Sequence, residues 1–270
     1  LHPWAMYAVG GLAMGYFCFR KGMPNLISTA FHPLLGDRVY GPIGKGIDVL
    51  AIFATMFGSA TSLGLGALQS SGGLNCVWGV NSSTILAVVI IAVLTGAFIV
   101  SAVSGVGRGV QWLSNFNMGL AVLLLLFILI VGPTVFIFDT LIGATGDYLG
   151  GFLGRSFRTG AFGGSEWLGN WTIFYWVWWI SWVPFVGTFL ARISKGRTMR
   201  EFVIGVLLIP SGVTFVWFAI LGGTALNLQL SGAANLTDAV AQPEVALFTL
   251  LGEFPIAAVT SVVVIVLVGV

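Results

Sequence analysis

The sequence predicts an all-α polytopic membrane protein with about seven transmembrane helices, the last of them cut short, and three observations predict it. First, 57% of the 270 residues are apolar and 7% charged, whereas a soluble domain of this length needs far more charge on its surface. Second, the apolar residues gather into seven stretches, near Pro3–Phe19, Ile47–Gln69, Thr84–Ser104, Trp112–Phe138, Trp171–Ile193, Phe202–Leu226 and Pro255–Val270. A helix needs ~20 apolar residues to cross ~30 Å of hydrocarbon. Third, nine basic residues lie in the first, third and fifth loops and only Arg155 and Arg158 in the fourth. By the positive-inside rule the three basic loops face the cytoplasm and Leu1 starts outside.

These observations also exclude function classes. The net charge of +2 is dispersed among short loops and leaves no nucleic-acid footprint, so the partner is the lipid bilayer. Cys18 and Cys76 fall on opposite sides of the membrane, which gives neither a disulfide framework nor a metal-ligand spacing. His2 and His32 each stand alone. No Asp, Glu, Lys, Arg or His sits deep in a span, so neither enzyme chemistry nor a protonated side chain within a span is indicated, and no cofactor is expected. The expected location is the cell (inner) membrane, as one multi-pass transmembrane domain over residues 1–270.

The first span pairs Trp4 with Tyr7 near its outer end, and Gly11 and Gly15 follow at the spacing that lets helices pack closely. Trp4 and Tyr7 read either as an interfacial anchor or as part of a site. Residues 20–45 are too short and polar to cross, so a short helix on the cytoplasmic surface is expected there.

The second span is dense in small and hydroxyl residues. Thr55, Ser59 and Ser62 share one helical face, which reads either as hydrogen-bonding glue between helices or, for Thr55 and Ser59, as oxygen donors to Na⁺. The cluster from Gly105 to Gly109 lacks the Lys-Ser/Thr of a phosphate loop and is expected to be a tight cytoplasmic turn. The fourth span is apolar all round, a lipid-facing or scaffold helix that Pro133 kinks. An amphipathic surface helix is expected within 140–168, and Pro210-Ser-Gly and Gly222-Gly223 are expected to break the sixth span.

The fifth span is the most unusual. Five of the ten tryptophans fall between Trp171 and Trp182. At 100° per residue, Trp171, Tyr175, Trp178, Trp182, Phe185 and Phe189 share one face, with Trp176 and Trp179 to one side. Interfacial belts gather at membrane surfaces, yet Trp182 and Phe185 lie well inside the run. Aromatic faces suit quaternary ammonium groups, at ~0.5–2 kcal/mol per ring.

The segment Gly169-Asn-Trp-Thr-Ile-Phe-Tyr-Trp-Val-Trp-Trp-Ile-Ser-Trp-Val-Pro-Phe-Val-Gly-Thr-Phe-Leu-Ala-Arg-Ile-Ser-Lys-Gly-Arg-Thr resembles the hallmark helix and loop of the betaine/choline/carnitine transporter family. His2–Tyr7, Ile52–Ser59, Ser62–Gln69 and Ser104–Gly109 are similar to that family's segments in the same order, so the resemblance spans nearly the whole chain. It implies a secondary transporter of glycine betaine, choline or carnitine type solutes, working by alternating access, and a sodium-symporter-like core of two inverted five-helix repeats of which this chain holds about half to two-thirds of the helices.

Carried over by position, the resemblance implies an aromatic box of Trp4 and Tyr7 on one helix and Trp178, Trp179 and Trp182 on another. It also implies a Na⁺ site of Thr55, Ser59 and Phe185, with Ser59 standing where some relatives have Thr. It implies a homotrimer as well. Family elements expected before Leu1 and after Val270 carry the carboxylate contacts and the other sodium site, so the chain is expected to be an internal piece of a longer protein. Na⁺ coupling, H⁺ coupling and exchange all remain open on the sequence, as does a scaffold whose aromatics only pack.

Overall fold

The computed structural model describes residues 1–103, 109–237 and 242–269, and among them every regular element is helical. The turn expected around Gly105 to Arg108 and the loop residue Asp238 lie outside the described residues. The helices are α1 His2–Gly15, α2 His32–Leu35, α3 Pro42–Trp78, α4 Thr84–Val103, α5 Gly109–Val131 and α6 Thr134–Gly150. They continue with α7 Phe152–Ser156, α8 Ser165–Trp167, α9 Phe174–Ile193, α10 Met199–Leu230, α11 Ala246–Gly252 and α12 Ala257–Gly269. By length and composition, Pro42–Trp78, Gln111–Val131, Ser165–Ile193 and Met199–Leu230 are able to cross a membrane; Thr84–Val100 and Ala257–Gly269 are shorter apolar helices. Large apolar side chains such as Val9, Leu50, Ile85 and Ile130 point outward, as lipid-facing residues do.

Several elements differ from the sequence expectation. Residues 20–45 form no single surface helix but a chain of short turns, 3₁₀ at Ile27–Phe31, α2, then 3₁₀ at Gly36–Tyr40. Pro24 and Pro33 restrict the residues before them, and Gly22 and Gly36 take φ of 66° and 56°, so no helix propagates. The stretch expected from Trp112 to Phe138 is two helices. Pro133 has no N–H to give Leu129, whose carbonyl accepts instead from Thr134 Oγ1 at 2.6 Å, and α6 starts there. That helix therefore begins before the 140–168 segment in which an amphipathic helix was expected. In contrast α10 runs unbroken through Pro210, since one lost hydrogen bond is tolerated, and Gly223 serves close packing: a Cβ there would lie 3.4 Å from Thr140.

The chain divides into two compact units, Leu1–Ala60 with Gly150–Thr214, and Thr61–Leu149 with Phe215–Val270. In the second unit a core of Leu124, Ile128, Ile137, Ile220, Phe248, Leu251 and Val264 is buried. Because Leu124 and Ile128 belong to it, α5 is the scaffold helix of the two expected alternatives. Phe248 fits against Gly73, and Asn117 Nδ2 donates to the Leu267 carbonyl at 3.3 Å.

The first unit is built on α1 and α9. They run in the same direction, with Gly10 against Val183 and Gly187, Gly11 against Gly187 and Leu190, and Gly15 beside Ala191. A Cβ on Gly187 would sit 3.1 Å from the Gly10 carbonyl carbon, so the two backbones touch with no side chain between them. Gly11 does what its spacing predicts, with Gly10 as its partner in the contact; Gly15 is looser, 3.8 Å from Ala191 Cβ. Ala8, Phe202 and Val206 pack α10 onto the same pair of helices.

Candidate functional site

The aromatic residues of α9 divide by face, because a helix that offers Val183 and Gly187 to α1 must aim residues half a turn away elsewhere. Trp182 turns to α3. A Cβ on Gly58 would lie 2.6 Å from Ser181 Oγ and 3.1 Å from Trp182 Nε1, so the glycine is what lets Ser181 and that indole approach α3 this closely. Trp182 meets Phe185 edge-to-face with centroids 5.7 Å apart. Trp176 instead lies 5.7 Å from the ring of His2, which stacks on Phe152 and has Nε2 3.0 Å from Ser156 Oγ.

Nearer the start of α9 the rings form a continuous ladder. Trp171 stacks on Tyr175 at 6.1 Å, and Tyr175 lies 5.8 Å from both Trp178 and Trp179. The Trp178 indole N–H is buried and finds no hydrogen-bond partner among the described residues. On α1, Trp4 and Tyr7 pair edge-to-face at 5.6 Å; Trp4 also packs with Ala8, Phe202 and Val206. The described ring contacts therefore fall into an α1 set, Trp4 with Tyr7, and an α9 set that includes Trp178, Trp179, Trp182 and Phe185. No described ring pair joins Trp4 or Tyr7 to the α9 set; the described ring link from α1 to α9 runs from His2 to Trp176, which lies 6.3 Å from Trp179.

Thr55 and Ser59 stand on α3 one turn apart. Each hydroxyl donates back to its own helix, Thr55 to the Ala51 carbonyl at 3.0 Å and Ser59 to the Thr55 carbonyl at 2.9 Å. Neither bond is glue to a second helix. With their protons so engaged, the oxygens keep lone pairs for a cation.

Thr55 and Phe185 line one cavity of about 640 Å³ between α3, α9 and the 25–27 segment, with Asp48, Thr188 and Arg192 also in its wall. Ser59 is not among its lining residues, lying one turn farther along α3. Sequence reasoning did not single out Thr188 or Gly58. Thr188 follows Phe185 by three residues on the same helical face, a spacing that was there to find. Gly58 was hidden among the many small residues of its span.

A sequence profile described as the betaine/carnitine/choline family transporter matches residues 1–270. The chain is 50% identical over its whole length to a glycine betaine transporter of Bacillus subtilis, covering 53% of that protein. It is 49% identical over 97% of its length to a probable glycine betaine transporter of Desulfitobacterium hafniense, covering 52% of it. A high-affinity choline transport protein of Escherichia coli is 41% identical over 94% of the chain, which covers 38% of that protein. The chain thus spans about half the length, or less, of these curated relatives.

Proposed function

Because the chain belongs to the betaine/carnitine/choline transporter family, we propose that it forms part of a secondary transporter for a quaternary ammonium solute, glycine betaine or choline in type. The solute is taken up by alternating access, coupled to Na⁺, through a partial sodium-symporter-like core of inverted repeats. The trimethylammonium group is held by the rings of Trp4, Tyr7, Trp178, Trp179 and Trp182. Na⁺ is held by Thr55 and Ser59, with Phe185 beside them. The protein works in the cell membrane, with Leu1 outside and the basic loops in the cytoplasm.

One observation carries this reading: Trp182, paired with Phe185, lies against α3 at Gly58, the helix whose Thr55 and Ser59 hydroxyls have their protons already engaged, which supports an aromatic site and a cation site sharing one helix seam. Coupling follows if occupation of either site draws α3 and α9 into the same arrangement, since each ligand then favours the state that the other binds.

The test is tryptophan fluorescence of the full-length protein in detergent. It is titrated with glycine betaine, choline and carnitine, in Na⁺ and then in K⁺ at equal ionic strength. A saturable change that needs a trimethylammonium ligand, needs Na⁺, and is lost in Trp182→Leu is expected. A response indifferent to Na⁺ moves the reading to proton coupling or exchange. No response in folded protein leaves the aromatics as packing.

A further inference from the structure

The cavity that holds Thr55 and Phe185 has a second polar feature, which no step above uses. Asp48 lies on the face of α3 that carries Thr55, two turns earlier and so about 10 Å away along the axis. It is the only carboxylate among the residues lining that cavity. Its two oxygens are held by one residue: Oδ1 accepts from the Ser28 N–H and Oδ2 from Ser28 Oγ, each at 2.8 Å. Ser28 is buried, so the carboxylate is fixed in place rather than free to swing into water. Among the described residues it forms no ion pair.

We propose that Asp48 is a staging ligand for the coupling cation, at the end of the cavity nearer the basic loops; the proposal rests on the Na⁺ reading of Thr55. A hard monovalent cation takes oxygen ligands. The cavity offers the Asp48 carboxylate together with the side-chain oxygens of Asn25, Thr188 and Thr55. The hydroxyl site carries no formal charge, so a cation moving to or from it gains from a fixed negative charge on its path. Arg192, in the same wall, opposes that charge and keeps the staging site weak enough to release the ion. The two residues therefore act on cation affinity with opposite signs.

The experiment uses the full-length protein in liposomes, with glycine betaine exchange followed while Na⁺ is varied separately on each side. In Asp48→Asn the Na⁺ half-saturation on the side of the basic loops rises about tenfold, the scale of one partly screened charge interaction. In Arg192→Gln it falls, and Asp48→Glu restores the wild-type value. Half-saturation on the opposite side stays put in all three. Thr55→Ala removes the Na⁺ dependence from both sides. An unchanged Asp48→Asn beside a Na⁺-independent Thr55→Ala overturns the staging role and leaves the reading of Thr55 standing. Shifts of the same sign in Asp48→Asn and Arg192→Gln, or no restoration by glutamate, reduce Asp48 to an anchor for the 27–31 turn and overturn the proposal. A Thr55→Ala protein with normal Na⁺ dependence overturns both readings. If Asp48→Asn fails to fold, the signs for Arg192→Gln and Asp48→Glu still decide.

Discussion

Gly58 of α3 lies against the indole of Trp182 of α9: a Cβ at Gly58 would fall 3.1 Å from Trp182 Nε1 and 2.6 Å from the neighbouring Ser181 Oγ. The seam between these helices is therefore set by a hydrogen atom. Gly58→Ala forces the indole or the helix aside, an overpacking worth about 1–3 kcal/mol, and Gly58→Val does more. Melting of the protein in detergent is expected to fall in that order. The fluorescence response to glycine betaine should weaken in the same order, which checks that the seam serves the site.

The two faces of α9 give a second prediction. Trp182→Leu removes one cation-π ring, worth ~0.5–2 kcal/mol, so trimethylammonium affinity drops by roughly 2- to 30-fold and Trp182→Phe recovers part of it. Trp176 packs toward His2 rather than α3. Trp176 also contacts Trp179 at 6.3 Å, so Trp176→Leu is expected to lower affinity less than Trp182→Leu in equilibrium binding.

Backbone contact between α1 and α9 predicts a graded stability series. Gly187→Ala places a methyl 3.1 Å from the Gly10 backbone and costs about 1–3 kcal/mol. At Gly15 the nearest atom is 3.8 Å away, and Gly15→Ala is expected to stay within about 0.5 kcal/mol of wild type. Thermal melts of the two variants side by side separate the positions.

At the start of α10, Thr198 and Glu201 form a reciprocal cap. The Thr198 N–H donates to Glu201 Oε2 at 2.9 Å, and the Glu201 N–H donates to Thr198 Oγ1 at 3.2 Å. Thr198→Ala should destabilise the helix start by about 1 kcal/mol, and Thr198→Ser should not. Limited proteolysis in the 194–198 turn provides the readout, with substrate affinity unaltered.

How far the fold was legible depends on what each residue signals locally. The division of α9 into faces was readable, because 100° per residue is a property of the helix alone and Trp182, Phe185 and Phe189 keep to it. The family was readable from the unusual density of tryptophan. Proline was ambiguous. Pro133 ends a helix because Thr134 captures the orphaned Leu129 carbonyl, whereas Pro210 sits inside an unbroken helix, and the letter is the same in both. The hydroxyls of Thr55 and Ser59 were equally ambiguous, since donation back to the same helix is invisible until the rotamer is known. Asp48 falls at the start of the Ile47–Gln69 stretch, but its face toward the Thr55 cavity and its anchoring by Ser28 depend on turns at 27–40 that glycines and prolines build.

The bare contact of Gly10 and Gly11 with Gly187 has a mechanical consequence. Two backbones in register, with no side chains to deform, cannot slide past one another cheaply, so in the proposed transport cycle α1 and α9 would tilt as a single lever. The α3 seam differs, pinched at Gly58 and hollow on the side of Thr55 and Asp48, and it is there that a rocking motion finds slack. In that scheme the rings on the lever keep their spacing through the cycle, while the oxygens across the seam are gathered and dispersed by it. The ion, more than the solute, then times the stroke.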